Sequence, residues 1–588
     1  MRHCVRLVLR LSLLASVCFA QTSAKQEPIP AGSETSASDP VSQPSAVSET
    51  VSLTPAKPLR SLPQPELEDP LHAALELYRK GDFDGAISSY RALLQTNHNS
   101  PEAFAGIARV LLKQKKVDQA STTIADGLKL SDSYQLHVAL GEVLFRQGRI
   151  YPAEHEWATV INSGHVDARS YFGLSRVRNA LAMYKTGKEM IDTAHELAPD
   201  DPDITDAWEA TLSRAEQLKY LETMLAGQNN WDANERESAK TYLQYLQERA
   251  KLGSSACRLV SKVTKTETPL IRLLSDPEYV RGYGLNVSLN GHKNRLLLDT
   301  GASGIVVKRS LAEHAGVRKI VETNVWGVGD KGKRNAHVGI VDRIKIGELE
   351  FQNCPIEVME ARSVAEEDGL IGTDVFEDFL VDIDFPHEKL KLSELPKRPG
   401  EAETQPSLKA EDDSDTEDSD SAGKNDAGRK DVAPTTIAAN SRFHDRYIAP
   451  EMQSFTRVFR FGHDVLVPTK IGNVPSKLFL LDTGASSNCI SPAAAREVTK
   501  VQNSDTIVKG ISGSVRNVYS ANKAVLTFGH LRQENQDMIA FDTTDLSDAE
   551  GTEISGFLGF RLLRLLDVKI DYRDALVDFT SDLEHRGR

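Results

Sequence analysis

From Tyr283 onward the apolar residues alternate, so that Leu285, Val287 and Leu289 share one face of an extended segment. Asn290-Gly291 supplies a tight hairpin turn, and Arg295-Leu296-Leu297-Leu298 forms the returning strand. The same grammar comes back downstream as Val465 and Val467, the turn Ile471-Gly472-Asn473, and the strand Leu478-Phe479-Leu480-Leu481. Each pair of strands is followed by an apolar-apolar-Gly element, Leu370-Ile371-Gly372 in one case and Phe557-Leu558-Gly559 in the other. Val381-Asp382-Ile383-Asp384-Phe385 and Val568-Lys569-Ile570-Asp571-Tyr572 then stand at the same 187-residue offset as the two glycines. Two diverged copies of one β unit are expected, over residues 278–395 and 453–582.

Upstream the period is helical. Ala86, Ala120, Ala153 and Gly187 are small and separated by 34, 33 and 34 residues, each with a large or branched residue four positions on: Tyr90, Ile124, Trp157 and Ile191. Gly81 and Gly148 lie five residues before two of the small ones, where turns belong. Small residues let paired helices approach, and the large ones fill the gap. The spacing resembles the tetratricopeptide repeat family, whose pattern closes with a proline, here Pro199. Helical patterns over Trp208–Leu225 and Glu235–Leu252 read as capping helices, so the repeat region is expected over 67–252. The resemblance implies a solenoid that docks a peptide or protein partner.

Composition places the joints. Gln21–Pro65 is rich in Ser, Thr, Ala and Pro and cannot bury enough surface to offset chain entropy; residues 21–65 therefore read as a linker. Residues 396–452 read as a second, since Glu401–Asp420 holds nine acids against one lysine. Residues 1–20 combine Arg2, His3 and Arg6 with an apolar run and end on Cys18-Phe19-Ala20, the form of a bacterial export signal cut after Ala20. The protein is expected to be exported, periplasmic or secreted, with no transmembrane segment. Loss of Arg2, Arg6 and Arg10 with the leader takes the formal charge from −14 to −17, which disfavours nucleic acid as a partner. Cys257, Cys354 and Cys489 offer neither a disulfide framework nor a CxxC pattern, and are expected as buried or incidental thiols.

The chemistry sits where the β grammar ends. Both copies run into the same five residues, Asp299-Thr300-Gly301-Ala302-Ser303 and Asp482-Thr483-Gly484-Ala485-Ser486. A single Asp-Thr-Gly is an ordinary turn; two with matching flanks and matching downstream elements are not. Peptide hydrolysis by carboxyl groups needs one ionised group to take a proton from water and one protonated group to donate to the carbonyl oxygen. Two aspartates about 3 Å apart cannot both ionise easily, so they share a proton and supply both forms. Asp299 and Asp482 are the candidate catalytic pair. No metal or cofactor is expected: His155-Glu156 and His195-Glu196 do not complete an HExxH, and neither a GxSxG elbow nor a phosphate loop is present.

The doubled motif resembles the retropepsin family of aspartic proteases, in its bacterial, gag-polyprotein-like form. That resemblance implies two small closed β halves behind the helical solenoid. It gives Thr300, Gly301, Ala302, Thr483, Gly484 and Ala485 the role of supporting the active-site loops, the threonine hydroxyls bonding across to hold them together. Ile371, Gly372, Leu558 and Gly559 would prop those loops, and Trp326–Asp330 and Lys509–Ser514 are the flap candidates over the cleft. The copies differ where Thr373-Asp374 is replaced by Phe560-Arg561, and Asp382 by Lys569. The expected activity is an exported aspartic endopeptidase acting on peptide or protein substrates. The alternative is a periplasmic scaffold or peptide-binding protein whose protease-like domains are inactive.

Overall fold

In the computed structural model, which describes residues 19–21, 70–227, 231, 233–252, 257–274, 279–360, 368–399 and 444–581, the 34-residue spacing becomes four antiparallel helix pairs. These are α1 (Pro70–Arg79) with α2 (Phe83–Thr96), α3 (Pro101–Lys113) with α4 (Val117–Leu130), α5 (Tyr134–Arg146) with α6 (Ile150–Asn162), and α7 (Ala168–Ala180) with α8 (Tyr184–Leu197). Ala86, Ala120, Ala153 and Trp157 have no exposed surface. A Cβ on Gly141 or Gly173 would fall within 2.5 Å of the Trp157 indole, so two bare backbones make the slot that the ring fills. The helical stretch expected over Trp208–Leu225 is broken: α9 (Pro202–Glu209) ends, and Ser213 with Glu216 forms a capping box that starts α10 (Arg214–Ala226). α11 (Ala233–Ala250) follows.

A polar network ties the first helices of successive pairs together. Arg109 of α3 bonds Glu142 of α5 at 3.0 Å, Arg169 of α7 reaches Asp201 at 2.7 Å, and Tyr78 of α1 donates to Asp203 of α9 at 2.9 Å. Lys113 also pairs with Asp203. Residues 125 apart in sequence thus meet, α1 against α9.

Each β half is built on one large sheet. In the first, the strand His292–Asp299 lies between Val280–Leu289 and Gly369–Gly372; in the second, Lys477–Asp482 lies between Asp464–Ile471 and Gly556–Gly559. A third sheet of six strands joins the halves, with Phe379–Asp384 antiparallel to Leu566–Asp571. The two residues by which the copies differ here, Asp382 and Lys569, are direct partners across that seam. One buried cluster runs through both halves and includes Leu298, Ile371, Val381, Leu481, Leu558 and Ile570.

The boundaries shift from the expected ones. The first half begins before residue 278, because Lys265–Pro269 is an edge strand of the joining sheet and Ile271–Leu274 pairs with Val280–Leu289. Cys257 and Cys354 form a disulfide rather than free thiols: Arg258–Leu259 pairs with Phe351–Gln352 and brings together cysteines 97 residues apart. Cys489 is free and buried. The ends of the acidic linker belong to the second half, where buried Asp574 pairs with Arg398 at 2.6 Å and accepts from Tyr447 N at 2.8 Å. Residues 400–443, the leader up to residue 18 and nearly all of the 21–65 segment lie outside the described residues; Phe19–Gln21 pairs with Ile507–Lys509. Among the described residues, no helix is long and apolar enough to cross a membrane.

The helical array is not separate from the β halves. Phe145, Trp157, Leu174 and Val177 of α5 to α7 share a buried cluster with Leu466, Leu478, Leu480 and Phe557 of the second half. Polar contacts frame it: Thr552 Oγ1 donates to Phe145 O at 2.8 Å, Arg146 pairs with Asp548, and Arg176 donates to Gly551 O at 3.1 Å.

Candidate active site

Asp299 and Asp482 each end a central strand of their own sheet, and the two strand ends face each other. The loops that follow are locked by a reciprocal set of four hydrogen bonds. Thr300 Oγ1 donates to Leu481 O at 2.7 Å and accepts from Thr483 N at 3.0 Å; Thr483 Oγ1 donates to Leu298 O at 2.9 Å and accepts from Thr300 N at 3.0 Å. A hydroxyl can donate and accept at once, which is why threonine fits both sides of this twofold knot. Gly301 N donates to Asp299 Oδ1 and Ala485 N to Asp482 Oδ1, each at 2.9 Å.

The glycines are required by the opposite aspartate. A Cβ on Gly484 would sit 2.4 Å from Asp299 Oδ2, and one on Gly301 would sit 2.9 Å from Asp482 Cγ. Each carboxyl therefore occupies the space that a side chain on the other loop would take. Behind the loops, Gly372 pairs with Asp299 and Gly559 with Asp482 in parallel register, with Ile371 and Leu558 fully buried beside them. A Cβ on either prop glycine would lie 2.3 Å from a loop carbonyl, Ala302 O or Ser487 O.

Both aspartates have no exposed surface. Burial pushes the Asp299 carboxyl up to about 6, opposed by the Gly301 N–H. Burial also pushes Asp482 well above the usual carboxylate range, and the neighbouring Asp299 charge adds to the rise. The Oδ2 oxygen of neither has a hydrogen-bond partner among the described residues, and the two carboxyls titrate as a pair. Both carboxyls are thus raised together, and a proton is held more readily by the pair than by either aspartate in water.

Other polar groups complete the site, of which the sequence singled out Asp374 only as a point of difference between the copies. Asp374 accepts from Ser303 Oγ at 2.6 Å and from Gly304 N at 2.9 Å, and so clamps the first loop. Arg561 stands at the matching place in the second half, and there the clamp comes from Asn488, whose Oδ1 accepts from Gly559 N at 2.8 Å. The exchange of Asp for Arg moves that function to another residue rather than losing it. Asp464, 1% exposed and next to His463 at 3.1 Å, is a further buried carboxyl raised by burial and by Asp299 and Asp374. Its only sequence signal is a carboxylate at the head of an apolar strand. Glu322, His337 and Glu360 bring ligand-type atoms within 4.8 Å of one another, but Lys319 and Arg309 already pair with the two glutamates.

Two hairpins cover the pair at the expected flap positions. Arg318–Val325 with Arg334–Ile346 carries Trp326–Asp330 in its turn, and Ile507–Gly510 with Gly513–Val515 carries the second tip. The tips interlock: Ser512 N donates to Val328 O at 3.0 Å, Lys331 N to Ser512 O at 2.8 Å, and Ser512 Oγ to Gly332 O at 2.7 Å. Ile511 crosses into the apolar cluster of Leu297, Ala302, Val306 and Leu370 in the first half. Val328 in return joins the cluster that contains Leu480 and Ala485. The cleft is closed over the two carboxyls.

The aspartyl protease family model matches residues 285–375 and 467–562, and a tetratricopeptide repeat model matches 77–133. The UBA domain-containing protein Mud1 of Schizosaccharomyces pombe is 32% identical over 126 residues, covering 19% of this chain and 36% of that protein. DNA damage-inducible protein 1 of Chaetomium globosum is 33% identical over 109 residues, 18% of this chain and 23% of the relative. The chain therefore spans little more than a third, or less, of these relatives. Among solved structures, a retropepsin-like aspartic protease from Rickettsia conorii aligns at 22% identity and a TM-score of 0.17, over 22% of this chain and 90% of that one. A thermophilic TPR protein of Thermus thermophilus aligns at 21% identity and a TM-score of 0.25, over 30% and 97%.

Proposed function

We propose that this chain, which carries two aspartyl protease family segments behind a tetratricopeptide-type helical region, is an aspartic endopeptidase whose single site is shared by its two halves. The observation that carries this reading is the reciprocal knot: each threonine is bonded to the other half's loop, and each missing Cβ is replaced by the other half's carboxyl. Neither loop is complete alone. In the proposed reaction a water held by both carboxyls gives a proton to ionised Asp299 as its oxygen attacks the peptide carbonyl carbon. Protonated Asp482 donates to the carbonyl oxygen. Collapse of the tetrahedral species breaks the C–N bond: the amine leaves with the proton that Asp299 took, and one hydroxyl of the former carbonyl carbon returns a proton to Asp482 as the carboxylic acid forms. No metal or cofactor enters the step. The substrate is an extended peptide lying under the two flaps.

Export into a bacterial periplasm or beyond remains part of the proposal. It is supported by the leader-like residues 1–20 and by the Cys257–Cys354 disulfide, a bond that persists in oxidising compartments. A protein partner for the helical region is supported by the repeat family, whose arrays serve protein recognition.

The test is cleavage of a peptide library by the full chain and by Asp299→Asn and Asp482→Asn, with folding followed by thermal melts. Each single variant is expected to lose all cleavage, because each removes half of one pair at nearly unchanged shape. Appreciable activity in either would exclude a sole shared site, and an inactive parent chain would favour the binding-protein alternative.

A further inference from the structure

We propose that the helical region holds the flap of the first half in place, so that the cleft opens by movement of the second half's flap alone. The two hairpins are supported very differently. In the first, Val321 and Val338 are direct cross-strand partners, and both are buried in one cluster with Leu221 of α10 and Ala239, Tyr245 and Leu246 of α11. Gln244 of α11 donates to Ile320 O at 3.5 Å, and Glu248 lies 3.8 Å from Arg318. The outward face of this hairpin, on which a moving flap needs freedom, is covered by two helices. Its strands are also long, eight and thirteen residues.

The second flap has four and three residues and three register pairs, Val508↔Val515, Lys509↔Ser514 and Gly510↔Gly513. Its root is anchored through Val508 in the core of the second half, and beside it runs the three-residue strand Phe19–Gln21. Ile507 is 48% exposed. The tip bonds and the insertion of Ile511 hold this flap down, and those bonds break whichever flap moves. Moving the first flap would break them and also strip Val321 and Val338 from α10 and α11. Moving the second breaks the tip bonds, withdraws Ile511 and parts the strand from Phe19–Gln21, two of whose three pairings a cut after Ala20 would already have removed, but it leaves both helices in place, which makes it the gate.

The experiment is hydrogen exchange measured by mass spectrometry on the full chain without substrate. Segment 507–516 is expected to exchange at least roughly tenfold faster than 318–325. Tyr245→Ala, which removes the helix side of the contact and leaves both flaps intact, is expected to raise exchange across 318–346 and leave 507–516 unchanged. Similar rates for the two flaps in the parent chain would overturn the proposal, as would a folded Tyr245→Ala chain whose first flap exchanges as before. If the variant does not fold, the comparison within the parent chain still decides. The readout is independent of cleavage, so a chain that hydrolyses nothing could still support or overturn the gating assignment.

Discussion

A carboxyl with no exposed surface is held against its preference for water, and here two such groups share one pocket with Asp374 and Asp464 close by. The physical consequence is a titration that belongs to the group rather than to any one residue. Cleavage should rise with pH as Asp299 ionises near about 6, and should fall again only when the pair loses its shared proton at higher pH. A pH–rate profile of kcat/KM checks this; activity greatest near pH 3 would contradict the order of ionisation. Stability carries the same sign. A carboxyl raised in the folded state favours folding most below its unfolded pKa, and that contribution is lost as pH rises through the folded value. Asp299→Asn should therefore melt a few degrees above the parent at pH 8, and the gap should close by pH 4. Asp299 and Asp482 could be seen in the sequence because each ends an apolar strand in the same five-residue motif. Asp464 could not, since nothing along the chain says that the head of one strand lies beside the aspartate of the other half.

At the scale of elements, periodicity carried most of the information. The 34-residue spacing located four helix pairs, and the alternating runs located the strands that aim the two loops. What escaped were contacts between elements far apart in sequence. The disulfide is one: its cysteines are 97 residues apart, and only the pairing of Arg258–Leu259 with Phe351–Gln352 explains their meeting. The threonine knot was legible only through the family likeness, because no local pattern specifies a bond between Thr300 and a carbonyl 181 residues away. It also makes a sharp prediction. Thr483→Val keeps the shape but leaves Leu298 O and Thr300 N without partners in a buried place, a loss of about 1–3 kcal/mol for each group. Thr483→Ser keeps the hydroxyl. The valine variant should lower both Tm and kcat while the serine variant stays near the parent, as read by thermal melts and peptide cleavage. Equal behaviour of the two would mean that the hydroxyl does not hold the loops.

At the scale of the whole molecule, the separation of a helical module from a protease module does not survive the packing. The second half rests its active-site strand on the repeats: Leu478 and Leu480, which lead to Asp482, share a cluster with Phe145 and Trp157. Sequence could not reveal this, because Phe145 and Trp157 fit the internal packing of a repeat equally well. If the array is part of the second half's core, a break in their interface must be felt as lost stability of the unit. Arg146 is the place to test it, since it pairs with Asp548 and donates to Ser547 O at 2.7 Å with both charged side chains mostly buried. Arg146→Glu sets two carboxylates against each other and should cost on the order of 3 kcal/mol, a fall of several degrees in the calorimetric transition that contains the second half. Asp548→Arg should do the same. Combining the two recreates the pair with reversed sign, but Lys115, now 2.6 Å from the Asp548 carboxylate, would face the new arginine. Recovery in the double variant should therefore be partial, and adding Lys115→Glu should raise it further without completing it, since a glutamate at 146 cannot donate to Ser547 O. Independent modules would instead give a second-half transition that ignores Arg146→Glu altogether, and that result would return the repeats to the status of a tethered neighbour.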